Sequence, residues 1–186
     1  MPRCILALIF SLFAVVTQVA AADVPRPSPE YAIKLTSGKQ LLLSSYRGKV
    51  VALMFVATDC PHCQETCRVM EQYQREFGPR GFQTLAVAFN PMAIMLIPEF
   101  IKGSGATFPV GYDERDTVFN YLQWPSMLRT FVPIMVFIDR RGVIRSQYMG
   151  DDPFFKKRDA NVRNTIEMLL KEPIGASKKA AARTSK

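Results

Sequence analysis

Residues 49–63 read KVVALMFVATDCPHC, an apolar run followed, after Thr58 and Asp59, by two cysteines three positions apart. The run from Lys49 to Ala57 is rich in β-branched residues and does not alternate with polar ones, a pattern typical of a strand covered on both faces. Pro61 suits the first turn of a helix, where its missing N–H loses no hydrogen bond. We therefore predict a buried central strand followed by a helix that opens at the cysteine motif.

The helix predicted after this motif ends at Phe77. Along it, Cys63, Cys67, Met70 and Phe77 recur at spacings of four, three and seven residues, which places them on one apolar stripe. Cys63 is therefore expected to face inwards, whereas Cys60 lies at the exposed start of the helix. On the same stripe, Cys67 is interpreted as a small core residue, with a third redox or metal-binding thiol as the alternative.

Further periodic segments predict a single α/β domain with a sheet flanked by helices. Asn90 is expected to cap the second helix and Pro98 to kink or restart it. In chain order the segments are a β-hairpin over 31–35 and 40–43, a strand over 84–89, a helix over 92–102, an extended piece over 108–112, a helix over 116–123, hairpin strands over 134–138 and 143–148, and a closing helix over 161–171.

The apolar run from Met92 to Ile97 is too uniform for a simple amphipathic surface helix. Burial against the sheet or the final helix is the favoured interpretation. The alternative is a methionine-rich docking surface for unfolded or membrane-bound partners.

The first 22 residues have the pattern of a secretory signal, with Arg3, an apolar run from Ile5 to Val16 and Ala20–Ala22 before Asp23. The run is too short to favour an uncleaved membrane anchor. We predict export to the periplasm, cleavage after Ala22, a proline-rich lead-in over 23–30, a domain over 31–172 and a basic disordered tail over 173–186.

Composition limits the function classes. With 48% hydrophobic and 22% charged residues among 186, the chain is expected to be globular. The formal charge of +8 does not indicate nucleic-acid binding, because an exported protein meets little nucleic acid and part of the charge lies in the tail. We expect a monomer that contacts membranes only through its signal or its tail.

Three cysteines, Cys60, Cys63 and Cys67, remain after cleavage, within eight residues of one another. Cross-links that stabilise a fold close long loops, so this cluster points to chemistry. A helix N-terminus stabilises a thiolate at Cys60, which makes that sulfur the nucleophile. Cys63 then resolves the mixed disulfide that Cys60 forms.

Residues close to the dithiol set its redox potential. Pro61 and His62 lie between the cysteines, and a protonated His62 would stabilise the Cys60 thiolate, whereas the carboxylate of Asp59 would oppose it. We therefore expect an intermediate potential. Deprotonation of Cys63 is assigned to water, Glu65 or an unidentified group.

This order of elements, with CPHC opening the first helix, resembles the thioredoxin fold with its central mixed sheet. It is most similar to the exported TlpA-like branch and the alkyl hydroperoxide reductase and thiol-specific antioxidant group, and its motif is similar to that of the DsbA-type periplasmic oxidases. The residues that carry the resemblance are Leu43–Lys49 (LSSYRGK), Phe55–Thr58 (FVAT), Thr107–Val110 (TFPV), Val132–Pro133, Val136–Asp139 (VFID) and Gly142.

The resemblance implies a thiol-disulfide oxidoreductase with no cofactor, acting on protein thiols and disulfides and recycled by a redox partner. It also implies that Pro133 is cis and packs against the dithiol, and that the backbone of Val132 pairs with the substrate. One departure from the family is Met54, which stands where thioredoxins keep a buried acid.

Three alternatives stay open. A two-cysteine thiol peroxidase is the first, because the run from Val56 to Cys60 is loosely similar to glutathione peroxidases, with Trp124 as a possible helper. A copper-binding module is disfavoured because His62 is the only histidine, which leaves no distant imidazole. A zinc module would use Cys60, His62, Cys63 and Cys67, whose tight spacing fits a tetrahedron poorly.

Overall fold

The computed structural model describes residues 23–173; the predicted signal and nearly all of the predicted tail lie outside them. Its eight strands are β1 (Arg26–Pro27), β2 (Ala32–Lys34), β3 (Gln40–Leu42), β4 (Val50–Val56), β5 (Phe82–Ala88), β6 (Val110–Tyr112), β7 (Ile134–Ile138) and β8 (Val143–Tyr148). Its four α-helices are α1 (Pro61–Phe77), α2 (Ala93–Ser104), α3 (Arg115–Leu122) and α4 (Arg158–Lys171).

All eight strands form one mixed sheet in the order β1-β8-β7-β4-β5-β6-β2-β3. The central strand β4 runs parallel to β5, with Val56 opposite Ala88, and antiparallel to β7, with Phe55 opposite Ile134. The carboxyl ends of β4 and β5 and the amino end of β7 therefore lie at one edge, called here the dithiol edge because α1 begins there. The predicted α/β class, mixed sheet and N-terminal hairpin are confirmed.

The residues of β4 are buried on both faces, as its unbroken apolar sequence predicts. Alternate residues point to opposite faces: Ala52 and Met54 belong to the core that contains α1, α2 and α4, whereas Leu53 and Phe55 belong to the core that contains α3. The sheet is thus covered on both sides by helices, and β4 is held at its centre.

Three local features differ from the sequence-based expectations. Residues 26–27 of the lead-in pair with β8 as an edge strand, which tolerates Pro27 because an edge position needs no N–H donor. Asn90 does not cap α2, whose N-cap is Met92 with a φ of 60°. Helix α2 also continues through Pro98 without a break.

The predicted burial of the run from Met92 to Ile97 is wrong for most of its side chains. Met92, Ile94, Met95 and Leu96 are 62%, 45%, 68% and 42% exposed. The buried apolar side chains of α2 are Ala93, Ile97 and Phe100, which form a narrow stripe on the core because they recur at spacings of four and three, with the half-buried Ile101 beside them. The rest of the first turn faces solvent.

Across residues 23–173, no helix combines the length and the apolar character that crossing a bilayer requires.

Candidate active site

Cys60 occupies the N-cap of α1. Its extended backbone, with φ −93° and ψ 114°, follows from the proline at position 61, which disfavours the helical region for the preceding residue. The Cys60 Sγ atom accepts a hydrogen bond from the N–H of Cys63 at 3.3 Å, and the residue is partly exposed. The sulfur therefore lies against the free N–H groups of the helix start, where an anion is stabilised.

Cys63 lies one turn further along α1 and is fully buried. Burial raises the pKa of its thiol well above the ordinary value, and its hydrogen bond to Cys60 adds to the effect. The two cysteines thus have unequal environments: Cys60 is partly exposed at the helix start, and Cys63 is a fully buried thiol one turn behind it.

Cys67 is also fully buried, on the stripe that contains Cys63 and Met70. Burial raises the pKa of its thiol to about 12, which keeps it protonated at neutral pH. These surroundings favour the interpretation of Cys67 as a core residue. Met54, in the position of the thioredoxin acid, is likewise fully buried in this core.

Glu65, proposed from sequence as a proton carrier, lies on the exposed side of α1 with 55% of its side chain accessible. It pairs with Arg158 of α4 at 3.1 Å. Arg158 also donates to the hydroxyl of the buried Thr66, which itself donates to the carbonyl oxygen of His62 at 2.8 Å. The start of α1 is therefore joined to the start of α4.

His62 is exposed and lines a cavity of about 300 Å³ together with Val132, Pro133 and part of the segment 150–158. The Val132–Pro133 bond is cis. The structure thus brings His62, Val132 and Pro133, three of the residues singled out from sequence, to one depression beside the cysteine motif.

Gly150 was not singled out from sequence, although it fixes the backbone of this depression. Its N–H donates to the carbonyl oxygen of Phe131 at 2.9 Å, and a Cβ atom at position 150 would lie 2.7 Å from the carbonyl carbon of Val132. Only glycine permits this approach. A glycine two residues after the end of the strand predicted over 143–148 was the available signal.

Asn90 has a different role from the predicted helix cap. Its Oδ1 atom accepts from the N–H of Thr58 at 2.9 Å, and its Nδ2 atom donates to the Thr58 hydroxyl at 2.8 Å. These bonds hold the buried Thr58, two residues before Cys60, against the turn that follows β5. No sequence spacing indicates this pairing, since the two residues are 32 positions apart.

Two observations bear on the alternative site chemistries. Within residues 23–173, no three side chains of the His, Cys, Asp and Glu types come together in a way that could hold a metal ion. Trp124, named from sequence as a helper of a peroxidase, follows α3, and its backbone N–H donates to the carbonyl oxygen of Phe119 at 3.0 Å. Its indole nitrogen is buried and has no hydrogen-bond partner among the described residues.

Comparison with known proteins assigns the family. The family model described as AhpC/TSA matches residues 24–147, about two thirds of the chain. The chain belongs to the AhpC/TSA family. This membership confirms the resemblance drawn from sequence.

Individual relatives agree with the family. The thiol-disulfide oxidoreductase ResA of Geobacillus kaustophilus is 28% identical over 134 residues, which cover 72% of this chain and 74% of that protein. A crystal structure of a thiol:disulfide interchange protein from Chlorobium tepidum TLS shares the fold, with a TM-score of 0.66, 24% identity and coverage of 81% of this chain and 99% of that one. Glutathione peroxidase 7 of Bos taurus is 37% identical over 73 residues, 38% of this chain and 39% of that protein.

Proposed function

We propose that this protein is a thiol-disulfide oxidoreductase that exchanges a Cys60–Cys63 dithiol or disulfide with protein substrates. The observation that carries the proposal is the unequal pair at the start of α1, with a partly exposed cysteine whose sulfur accepts a helix N–H bond and a fully buried thiol behind it. The family membership and the similarity to ResA support the same activity.

The proposed reduction uses two exchange steps. The Cys60 thiolate attacks a substrate disulfide, which forms a mixed disulfide and releases one substrate sulfur as a thiolate. Cys63 then loses its proton to solvent and attacks the Cys60 sulfur, which releases the second substrate thiolate and leaves a Cys60–Cys63 disulfide. Two electrons pass to the substrate, and the reverse sequence oxidises a substrate dithiol.

Pro133 and Val132 are proposed to receive the substrate beside Cys60. The cavity that they share with His62 supports this role, because a chain bound there lies beside the first turn of α1. In such a complex the backbone of Val132 would pair with the backbone of the substrate.

A Cys63→Ser variant tests the proposal, because it stops the reaction after the first step. Incubation with a protein disulfide should accumulate a mixed disulfide at Cys60 that dithiothreitol releases, and Cys67→Ser should resolve its adduct like the natural protein. The proposal fails if the Cys63→Ser variant forms no adduct and if alkylation of Cys60 in the natural protein is no faster than that of free cysteine.

His62 and Asp59 are proposed to set an intermediate redox potential by opposing each other. Both side chains are exposed, so solvent and salt screen their effect on the Cys60 anion. Equilibration with glutathione should give a lower potential for His62→Ala and a higher one for Asp59→Asn. A natural protein as reducing as thioredoxin would contradict the oxidising contribution of His62.

Export to the periplasm is proposed from the first 22 residues of the sequence. Cleavage after Ala22 would leave a chain that begins at Asp23 and contains β1, the rest of the domain and the basic tail. This chain is proposed to be a monomer. Amino-terminal sequencing of the protein from a periplasmic fraction should start at Asp23, and an intact Met1 in the membrane fraction would contradict cleavage.

A thiol peroxidase is the second candidate, favoured by the similarity to glutathione peroxidase 7. In that reaction Cys60 would take one oxygen from a peroxide, releasing water, and Cys63 would displace a second water to form the same disulfide. Peroxide consumption in the presence of a dithiol measures it. Turnover of peroxide faster than that of protein disulfides would make peroxidase the main activity.

A further inference from the structure

The carboxyl end of α3 is held by two side chains that come from outer strands of the sheet. The Nη2 atom of Arg26, in β1, donates to the carbonyl oxygens of Tyr121 and Leu122, at 3.3 Å each. The same atom donates to the Oε1 atom of Gln147, in β8, at 2.9 Å. Gln147 in turn donates from Nε2 to the carbonyl oxygen of Leu122 at 3.1 Å. The last carbonyl groups of a helix have no partner within it, so these bonds satisfy them.

Residues 123–133 connect this end of α3 to β7 and are named here the presenting segment, because they end at Val132 and Pro133, the two residues proposed to receive the substrate. The segment contains no helix or strand. Its middle is attached through an exposed hydrogen bond, from Arg115 to the carbonyl oxygen of Ser126 at 3.3 Å. The position of Val132 therefore depends on how the two ends of the segment are held.

Arg26 contacts the supports of both ends. At the first end, it binds the carbonyl groups of α3 that directly precede Gln123. At the second end, the N–H of Gly150 donates to the carbonyl oxygen of Phe131 at 2.9 Å. Gly150 follows Gln147, the hydrogen-bond partner of Arg26, by three residues along the chain. One side chain thus links the two elements, α3 and β8, on which the ends of the presenting segment depend.

The surroundings of Arg26 are not those of an efficient stabilising contact. Its Nε and Nη1 atoms are buried and have no hydrogen-bond partner among the described residues. Burial lowers the pKa of its guanidinium, which means that the folded protein disfavours the charged form relative to water. A buried and partly unpaired cation contributes little net stability. Local departures of this kind are expected where a residue serves a functional site.

We propose that Arg26 is a positioning residue for substrate binding, which fixes the presenting segment so that the backbone of Val132 can pair with the backbone of a substrate. This inference rests on the proposed exchange function and on its placement of the substrate at Val132. It also brings the lead-in over 23–30, which the sequence predicts to lie outside the domain, into the functional part of the chain. A substrate with a peptide backbone should depend on Arg26, whereas a small disulfide that needs only Cys60 should not.

The test compares Arg26→Ala with Arg47→Ala. Arg47 also donates to a backbone carbonyl group, that of Arg141, but at the opposite end of the strands, so it is a matched control. Arg26→Ala should raise KM for the reduction of insulin about fivefold, the effect of one lost substrate hydrogen bond, and leave kcat unchanged. Arg47→Ala should keep the natural KM. Both variants should reduce hydroxyethyl disulfide, which has no peptide backbone, at the natural rate.

Two further variants distinguish positioning from a general loss of stability. Arg26→Lys retains a donor for the carbonyl oxygens of α3 and should keep KM for insulin within about twofold of the natural value. Gln147→Ala removes the other side chain at the end of α3 and should also raise this KM, which provides the same test should Arg26→Ala fail to fold. Backbone hydrogen exchange over 123–133 should be faster in Arg26→Ala and unchanged in Arg47→Ala.

The contrary outcomes are distinguishable. A natural KM for insulin in Arg26→Ala and Gln147→Ala would overturn the inference, even if these variants melt at a lower temperature, and so would a high KM in Arg26→Lys. An equal loss of activity toward insulin and hydroxyethyl disulfide would also overturn it, because the effect would then lie at the dithiol. A natural protein that reduces neither disulfide would overturn the proposed function as well.

Discussion

The two ends of the central strands differ in whether their reactive groups are exposed to solvent or already paired within the protein. At the dithiol edge, Cys60 is partly exposed and seven large apolar side chains are exposed. At the opposite end, where β7 turns into β8, the carboxylate of Asp139 is buried and accepts bonds from the N–H groups of Arg141 and Val143 at 2.9 and 3.0 Å. It also pairs with the guanidinium of Arg145 at 3.2 Å.

The opposite end of the strands also binds the carboxyl end of α4. Arg140 donates to the carbonyl oxygens of Leu170 and Glu172 at 2.8 and 2.9 Å, so the end of α4 is bound to the turn between β7 and β8. Stability and reactivity are thus separated along the strands. One end has its buried charge satisfied, and the other keeps groups free for a partner.

Cys60→Ser should have the largest effect of any single substitution. We expect exchange activity to fall by about a thousandfold, since no other sulfur lies open at the helix start. Stability should change little because Cys60 is partly exposed. Turnover of a protein disulfide measures the first effect and thermal melting the second; appreciable activity in this variant would move the nucleophile to Cys63 or Cys67.

Asp139→Asn should have the opposite pattern of effects to Cys60→Ser, a loss of stability without a loss of activity. Loss of the buried charge beside Arg145 should lower the free energy of unfolding by about 3 kcal/mol, while activity per folded molecule stays unchanged. Urea unfolding checks this, with the exposed Asp116→Asn as the matched control. A drop in activity of the folded variant would show that the two ends are coupled.

The stability difference between the natural protein and Asp139→Asn should depend on pH, because only the natural protein has a carboxyl group at position 139. Burial alone would raise the pKa of Asp139, but its N–H donors and Arg141 outweigh burial and hold that pKa below the usual range. A lowered folded-state pKa stabilises the protein above the unfolded value of about 4. The stability difference between natural protein and Asp139→Asn should therefore be complete at neutral pH and disappear as the pH falls below 4.

Asn90→Ala should have a smaller effect, on both the free energy of unfolding and the reactivity of Cys60. The N–H of the buried Thr58 would lose its acceptor, at a cost of about 2 kcal/mol in unfolding free energy. Cys60 should then be alkylated at a different rate, because the chain leading to it is less fixed. Asn120→Ala, at an exposed position of α3, is the control, and equal behaviour of both variants would mean that Asn90 does not position Cys60.

Cys67→Ala should have the smallest effect, about 1 kcal/mol of stability, because it removes one small buried sulfur atom and leaves an apolar methyl group at Cβ. Redox cycling should be unaffected. Mass spectrometry of the oxidised natural protein should show a Cys60–Cys63 bridge, and a bridge between Cys63 and Cys67 would overturn the assignment of Cys67 to the core.

Much of the fold could be predicted from sequence because its strongest patterns are local. The strand over 134–138, the strand over 143–148 and the end of α1 at Phe77 agree with the structure, since apolar run length and helical spacing determine them. Strand β1 was missed because two residues that include a proline carry no periodic signal. Its pairing depends on β8, far away in the sequence.

The site was predictable only where a short motif carries the chemistry. Cys60, Pro61, His62 and Cys63 are adjacent, so their placement at a helix start follows from the sequence. Asn90 and Gly150 could not be assigned because their contacts join distant segments. The exposure of Met95 was also missed, because apolar composition alone does not tell which helix face meets the sheet.

Trp124 is the only tryptophan of the chain and the second residue of the presenting segment. Its ring is partly buried against the α3 core, and its indole nitrogen has no hydrogen-bond partner among the described residues. Excitation at wavelengths that only indole absorbs therefore gives one emitter, in the segment that ends at the cis proline. Its emission offers a label-free optical signal for watching a polypeptide arrive and leave.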